Sequence, residues 1–249
     1  MNKRVTHLFL CTLAVGAVLS LAQNAQSQVV VYADDNHGST FNGYYIDNNA
    51  MAGNQINLAP AGNTYLSEFQ FQFELVNSGV NPLAGAPSGS ETIALSFYLN
   101  TGANVPAGPL GYPSPAATPF YTTGPINLVG DGLTSFNQSI NLVTTPDITV
   151  PQDFTWVVTF GGINTSDENA GIALASPPTV GSAYGDLWYN PDDGSGWQLQ
   201  TDPSPPGNLD LAAEAETTIP DSSCLWFSVL AVAAGFWWVN RGIRRQASS

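Results

Sequence analysis

Apolar and polar residues alternate with a period of two along much of this chain. The clearest run is Tyr65 to Leu75. Phe69, Phe71, Phe73 and Leu75 fall on one side of it, and Glu68, Gln70, Gln72 and Glu74 on the other. Successive side chains of a strand point to opposite faces, so this segment reads as a half-buried antiparallel strand. Ile93, Leu95, Phe97 and Leu99 repeat the pattern, as do Phe136, Ile140 and Leu142. In Phe154, Trp156, Val158 and Phe160 it returns with Thr155, Val157 and Thr159 between. Gln28 to Tyr32 opens the series, and Leu209 with Leu211 closes it, Asp210 and Glu214 facing outward. Gly, Pro, Asn and Asp cluster between these runs, at Pro82 to Gly89, Pro106 to Pro119, Ser176 to Gly181 and Pro191 to Gly196. Gly185 to Leu199 reads as a hairpin with Asp193-Gly194 in its loop and Trp188 and Trp197 as cross-strand partners. About ten short strands with frequent turns predict an all-β fold, a jelly-roll-like antiparallel β-sandwich. No fixed repeat is visible.

The two chain ends break this pattern. Lys3 and Arg4 precede an uncharged apolar run from Leu8 to about Leu21, followed by small and polar residues. That order is a signal peptide's, with Ala25 and Ser27 suiting the −3 and −1 positions, so cleavage is expected between Ser27 and Gln28. A second uncharged run, Cys224 to Val239, spans roughly 24 Å as a helix. Trp226 stands at one end, Trp237 and Trp238 at the other, and Arg241, Arg244 and Arg245 follow. Aromatic residues mark membrane interfaces and basic residues stay on the cytoplasmic side. One C-terminal transmembrane helix is therefore expected, with the bulk of the protein outside.

Ile219-Pro220-Asp221-Ser222-Ser223 lies directly before that run. Short motif, apolar helix and terminal arginine cluster together resemble the PEP-CTERM class of exosortase sorting signals. The variant it resembles most reads Val-Pro-Asp-Ser-Gly: Pro220, Asp221 and Ser222 agree, Ile219 replaces Val and Ser223 replaces Gly. The likeness covers about the last 30 residues. Proline lacks an N–H and disfavours helix in the residue before it, which keeps the motif extended at the membrane surface. The resemblance implies Sec export, processing by signal peptidase and an exosortase, and delivery to the cell surface or extracellular matrix of a Gram-negative bacterium that makes exopolysaccharide. The expected organisation is a signal peptide (1–27), a β-sandwich core (28–202), a last strand and stalk (203–218) and the sorting segment (219–249), made of motif (219–223), helix (224–240) and basic tail (241–249).

Composition sharpens the picture of the central stretch. Every Lys and Arg of the chain is in the end segments, whereas almost all acidic residues lie between Gln28 and Thr218, with His37 as that stretch's one histidine. Nothing there can neutralise phosphate, so nucleic-acid binding is excluded, and binding to anionic lipid is not expected. Cys11 and Cys224 both fall in the end segments, so the domain folds without disulfides.

Candidate chemistry is sparse. A Ser-His-Asp triad would have to use His37, in a turn-like Asp34-Asp35-Asn36-His37-Gly38, and no Gly-x-Ser-x-Gly elbow accompanies it. No catalytic residues and no enzyme activity are expected. A two-carboxylate glycan-processing enzyme is the third reading, because such chemistry needs only two acids. No cofactor is expected; Ca²⁺ is the candidate ion. Asp34 with Asp35, Asp167 with Glu168, and Asp192 with Asp193 offer the oxygens it takes, although turns favour the same residues. Trp188, Tyr189 and Trp197, with Tyr44, Tyr45 and Tyr184, are candidate contacts for exopolysaccharide, although aromatic residues also serve as core. The leading expectation is a non-enzymatic surface or matrix protein, and the alternative a carbohydrate-binding module.

Overall fold

The computed structural model describes residues 26–34, 43–59, 64–77, 91–104, 113–128, 138–163, 168–175, 177–201 and 209–220. By its contacts the chain divides into Val30–Thr217, which holds the sheets, and a second unit made of the two ends. The strands are β1 (Gln26–Asp34), β2 (Gly43–Ile46), β3 (Met51–Asn57), β4 (Thr64–Asn77), β5 (Thr92–Tyr98), β6 (Tyr121–Thr122), β7 (Ile126–Asn127), β8 (Gln138–Val150), β9 (Asp153–Gly161), β10 (Glu168–Ala173), β11 (Ser182–Asn190), β12 (Gln198–Gln200) and β13 (Ala213–Pro220). Among the described residues there is no helix.

The strands form two sheets. The first runs β1-β13-β4-β10-β2, with β8 on the other edge of β4; the second runs β12-β11-β3-β9-β5-β6, with β7 also on β5. The registered pairs are antiparallel. Strand β4 organises the first sheet. One edge pairs with β8, while the other is divided between β13, along Leu66 to Phe71, and β10, along Phe73 to Asn77.

The alternation in β4 does what its pattern predicts. Phe69, Phe71, Phe73 and Leu75 are all buried, and they face Phe154, Trp156, Val158 and Phe160 of β9 and Ile93, Leu95 and Phe97 of β5. Ring pairs bridge the two sheets, with Phe69 5.2 Å from Phe97 and 5.3 Å from Trp156, and Phe73 5.9 Å from Phe160. Interdigitated inner faces of this kind make a β-sandwich. Small residues on β13 allow the large ones to fit: Ala213 lies opposite Phe71 and Ala215 opposite Phe69.

Several elements depart from the alternation-based expectation. The strand expected at Leu209 and Leu211 is an approach segment with one bridge, Leu174 to Leu211; the regular strand β13 begins at Ala213. Asp210, expected to face outward, is 2% exposed. Leu99, placed with the inward set, lies past the end of β5 and is 42% exposed. Strands β2, β3, β6, β7 and β10 have no counterpart among the expected runs. Strand β13 continues through Ile219 to Pro220.

Candidate functional site

The hairpin expected at Gly185 to Leu199 is present as β11 and β12, but its register is different. Trp188 pairs with Leu199 and Tyr189 with Gln198, which leaves Trp197 in the loop before β12. Trp188 is 1% exposed. It lies beside Gly53 of β3, which in turn pairs with Val157 of β9. The absence of a side chain at Gly53 opens this row of the outer face of the second sheet, and both Trp188 and Val157 are buried there. Trp188 is thus a packing residue and offers no free ring face to a ligand. Trp197 is half-buried and meets Tyr98 of β5 edge-on at 5.4 Å. Tyr189 packs edge-on against Tyr44 at 6.1 Å, and its hydroxyl donates to Asp47 Oδ2 at 3.0 Å. Burial, then that bond and the Asp47 charge, push its phenol up to about 12. Tyr45 is 54% exposed on the edge strand β2, its ring over Gly171 of β10.

Beside the Tyr98–Trp197 pair the outer face of the second sheet carries a polar network that the sequence pattern did not single out. Its centre is Asp153, at the start of β9. Gln55 Nε2 donates to both carboxylate oxygens, at 2.9 and 3.2 Å, and the Tyr184 hydroxyl donates to Oδ2 at 3.4 Å. Asn100 Nδ2 donates to Oδ1, and Asn100 Oδ1 accepts from Thr155 Oγ1 at 2.6 Å. Gln152 Nε2 donates to Asn57 Oδ1 at 3.0 Å. Gln55 is 3% exposed, and its Oε1 has no hydrogen-bond partner. These groups come from β3, β9, β11 and the turn after β5. Planar amides, a carboxylate and a phenol beside an aromatic pair have the donor and acceptor chemistry that recognises hydroxyl-rich ligands.

A second cluster is buried and acidic. Asp34 ends β1 and is 0% exposed, while Asp210 precedes β13. Tyr32 is fully buried, and its phenol is pushed well above the ordinary range by burial, then by the charges of Asp34 and Asp210. Burial, reinforced by Asp186, raises Asp210 to about 6. Asp186 itself is raised by burial. Asp34 also lines a cavity of about 160 Å³ on the first sheet with Gln70, Gln72 and Glu214.

The other candidate ligands do not gather. Asp192 and Asp193 are exposed in the β11–β12 loop and make turns of their own: Asn190 Oδ1 accepts from Asp192 N at 3.2 Å, and Asp193 Oδ1 accepts from Ser195 N at 2.8 Å. The Ser195 hydroxyl and N–H hold Asp193 below the usual carboxylate range. Glu168 opens β10 opposite Asn77. Asp35, His37 and Asp167 lie outside the described residues, and among the described residues no three His, Cys, Asp or Glu converge as a metal centre. Ser27 and Gln28 fall in β1, and Ile219 and Pro220 end β13. Asp221, Ser222, Ser223, Arg241, Arg244, Arg245 and the helix expected over 224–240 lie outside the described residues. No family model, curated protein or solved structure matches this chain.

Proposed function

We propose that this is an exported, non-enzymatic surface or matrix protein. A signal peptide (1–27) would direct export through the Sec pathway, and exosortase processing at Ile219 to Ser223 would deliver the β-sandwich to the cell surface. The observation that carries this reading is the ordered end of the chain: motif, uncharged apolar run, then Arg241, Arg244 and Arg245. It is supported by the position of β13, the last strand, which leads straight into Ile219 and Pro220. The double variant Pro220→Ala, Asp221→Ala is expected to accumulate in the inner membrane with its apolar segment attached. Fractionation that finds it on the surface in normal amount would remove the sorting reading.

The sandwich is read more finely as a jelly roll. Strands β1-β13-β4-β8 in one sheet and β3-β9-β5-β6 in the other follow, in chain order, the first-eighth-third-sixth and second-seventh-fourth-fifth arrangement of that fold, with β7 continuing β6 along β5. On this reading β2, β10, β11 and β12 are additions at the sheet edges.

A second reading is carbohydrate binding, favoured by the Asp153 network beside Tyr98 and Trp197. The host's exopolysaccharide is the ligand of choice, with Ca²⁺ as the candidate auxiliary ion. Without Lys or Arg between 28 and 218, a neutral glycan fits the face better than an anionic one. Secreted protein is expected to be retained on purified exopolysaccharide. Trp197→Ala combined with Asp153→Asn is expected to lower retention about tenfold, as the loss of one stacking contact and one charged acceptor would. Circular dichroism would show whether the variant remains folded. Equal retention by a folded variant would leave only the delivery role, and retention that disappears with chelator would assign part of the binding to Ca²⁺.

A further inference from the structure

Asp210 is buried, and among the described residues no side chain carries positive charge. It is 2% exposed, and its Oδ1 has no hydrogen-bond partner. Among the described residues the titratable groups that act on it are Tyr32 of β1 and Asp186 of β11, and Tyr32 in turn feels Asp34 at the end of β1. None of them carries positive charge. The stretch from Gln28 to Thr218 contains no Lys or Arg, and its one histidine, His37, lies outside the described residues. The Tyr32 hydroxyl is likewise buried without a hydrogen-bond partner. An isolated buried carboxylate keeps its proton, because the ion would lose its hydration without gaining a partner.

The position of Asp210 gives this proton a mechanical consequence. Asn54 of β3 clips the segment on both sides of it. Asn54 Nδ2 donates to the carbonyls of Leu209, at 3.2 Å, and of Asp186, at 3.0 Å, while Leu211 N donates to Asn54 Oδ1 at 2.6 Å. Leu209 N also bonds the carbonyl of Gly185 at 3.0 Å, and Ala212 N that of Ala173 at 2.8 Å. The Asp210 carboxyl therefore sits within the stitching that joins the entry of β13 to β3, β10 and β11.

We propose that Asp210 is a proton-operated latch on the last strand: protonated, it is part of the packed interior, and on ionising it loosens residues 209–212 and the start of β13. Its raised value of about 6 places the transition near neutrality. The sign is fixed by burial. A carboxyl whose folded-state value lies above the unfolded one stabilises the fold fully below the unfolded value, near 4, and that contribution is lost as pH rises through about 6.

The test compares the purified protein with Asp210→Asn and Asp186→Asn at pH 5 and pH 8, following thermal unfolding and amide hydrogen exchange corrected for intrinsic rate. The wild type is expected to lose about 5 °C in Tm between the two pH values. Exchange at 209–217 should rise about tenfold, with little change in β5 and β9. Asp210→Asn, which keeps the shape and cannot ionise, should abolish both effects. Asp186→Asn removes the neighbouring repulsion and should move the midpoint of the pH profile to lower pH, a reading that stands even if the Asp210 variant folds poorly. An unchanged pH profile in a folded Asp210→Asn, an exchange increase spread evenly over both sheets, or an unmoved midpoint in Asp186→Asn would overturn the latch. Recovery of Tm at pH 8 by Ca²⁺, reversed by chelator, would also overturn it and make the cluster a cation site.

Discussion

Gly53→Ala is expected to destabilise the domain by about 4 kcal/mol or more, a size reached when backbone rather than side chain must give way. Gly53 is in the middle of β3, with β9 on one side and β11 on the other. A Cβ there would fall well inside van der Waals contact with the Trp156 carbonyl oxygen and 2.8 Å from the Val157 Cα. Neither atom is the end of a flexible side chain. Relief requires β3 to move away from β9, and that movement disturbs two layers together. On the inner side, Trp156 lies against Phe69 and Phe71, at 5.3 and 5.8 Å. On the outer side, Trp188 loses its place beside the bare backbone. Urea unfolding followed by tryptophan fluorescence measures the effect. A midpoint close to that of the wild type would show that β3 and β9 can separate at this point without disrupting the core.

Asn54→Ala, one residue further along, is expected to cost about 3 kcal/mol for a different reason. The side chain is fully buried and satisfies three backbone groups: the carbonyls of Asp186 and Leu209 and the N–H of Leu211. Alanine leaves all three in the interior, and an unsatisfied buried group costs about 1–3 kcal/mol, less where water can enter. Asn54→Asp separates the two roles of the amide. It keeps the acceptor for Leu211 N, removes the donor, and adds a carboxylate beside Asp186 and Asp210. Its loss of stability should therefore be larger at pH 8 than at pH 5. An equal loss at both values would mean that the added carboxylate stays protonated or escapes to water.

How much of this was legible in the sequence depends on what each segment's residues report. Strands β4, β5 and β9 carry the core on large apolar residues at every second position, so period alone announced them, and the structure buries the inward set of β4 and β9 as that pattern requires. Strand β3, MAGNQIN, lacks large apolar residues at every second position, yet it is an interior strand of the second sheet. Its inward positions are Ala52, Asn54 and Ile56, and its outward ones include Gly53 and Gln55. Each suits a neighbour that sequence distance conceals: Gly53 suits Trp188 and the Trp156 backbone, Asn54 the Leu209 to Leu211 segment, and Gln55 the Asp153 carboxylate. The expected Trp188–Trp197 pair failed for a related reason. The loop was visible, but the β11–β12 register places Leu199 opposite Trp188 and ends at Tyr189 and Gln198, which leaves Trp197 outside the pairing.

The candidate sites divide along the same line. The aromatic and acidic residues chosen for lying near turns are largely scattered; the groups that meet, at Asp153 and around Asp210, come from distant parts of the chain. By itself the sequence determined the all-β character, through period-two alternation, and the absence of Lys and Arg between 28 and 218. Both rest on residue identity and on order along one strand. Tertiary structure decided the strand order, the place of β3 and the burial of Asp210. Those depend on which strand edges meet, and edge pairing joins residues as far apart as Phe71 and Ala213 through backbone hydrogen-bonding groups that every residue carries alike.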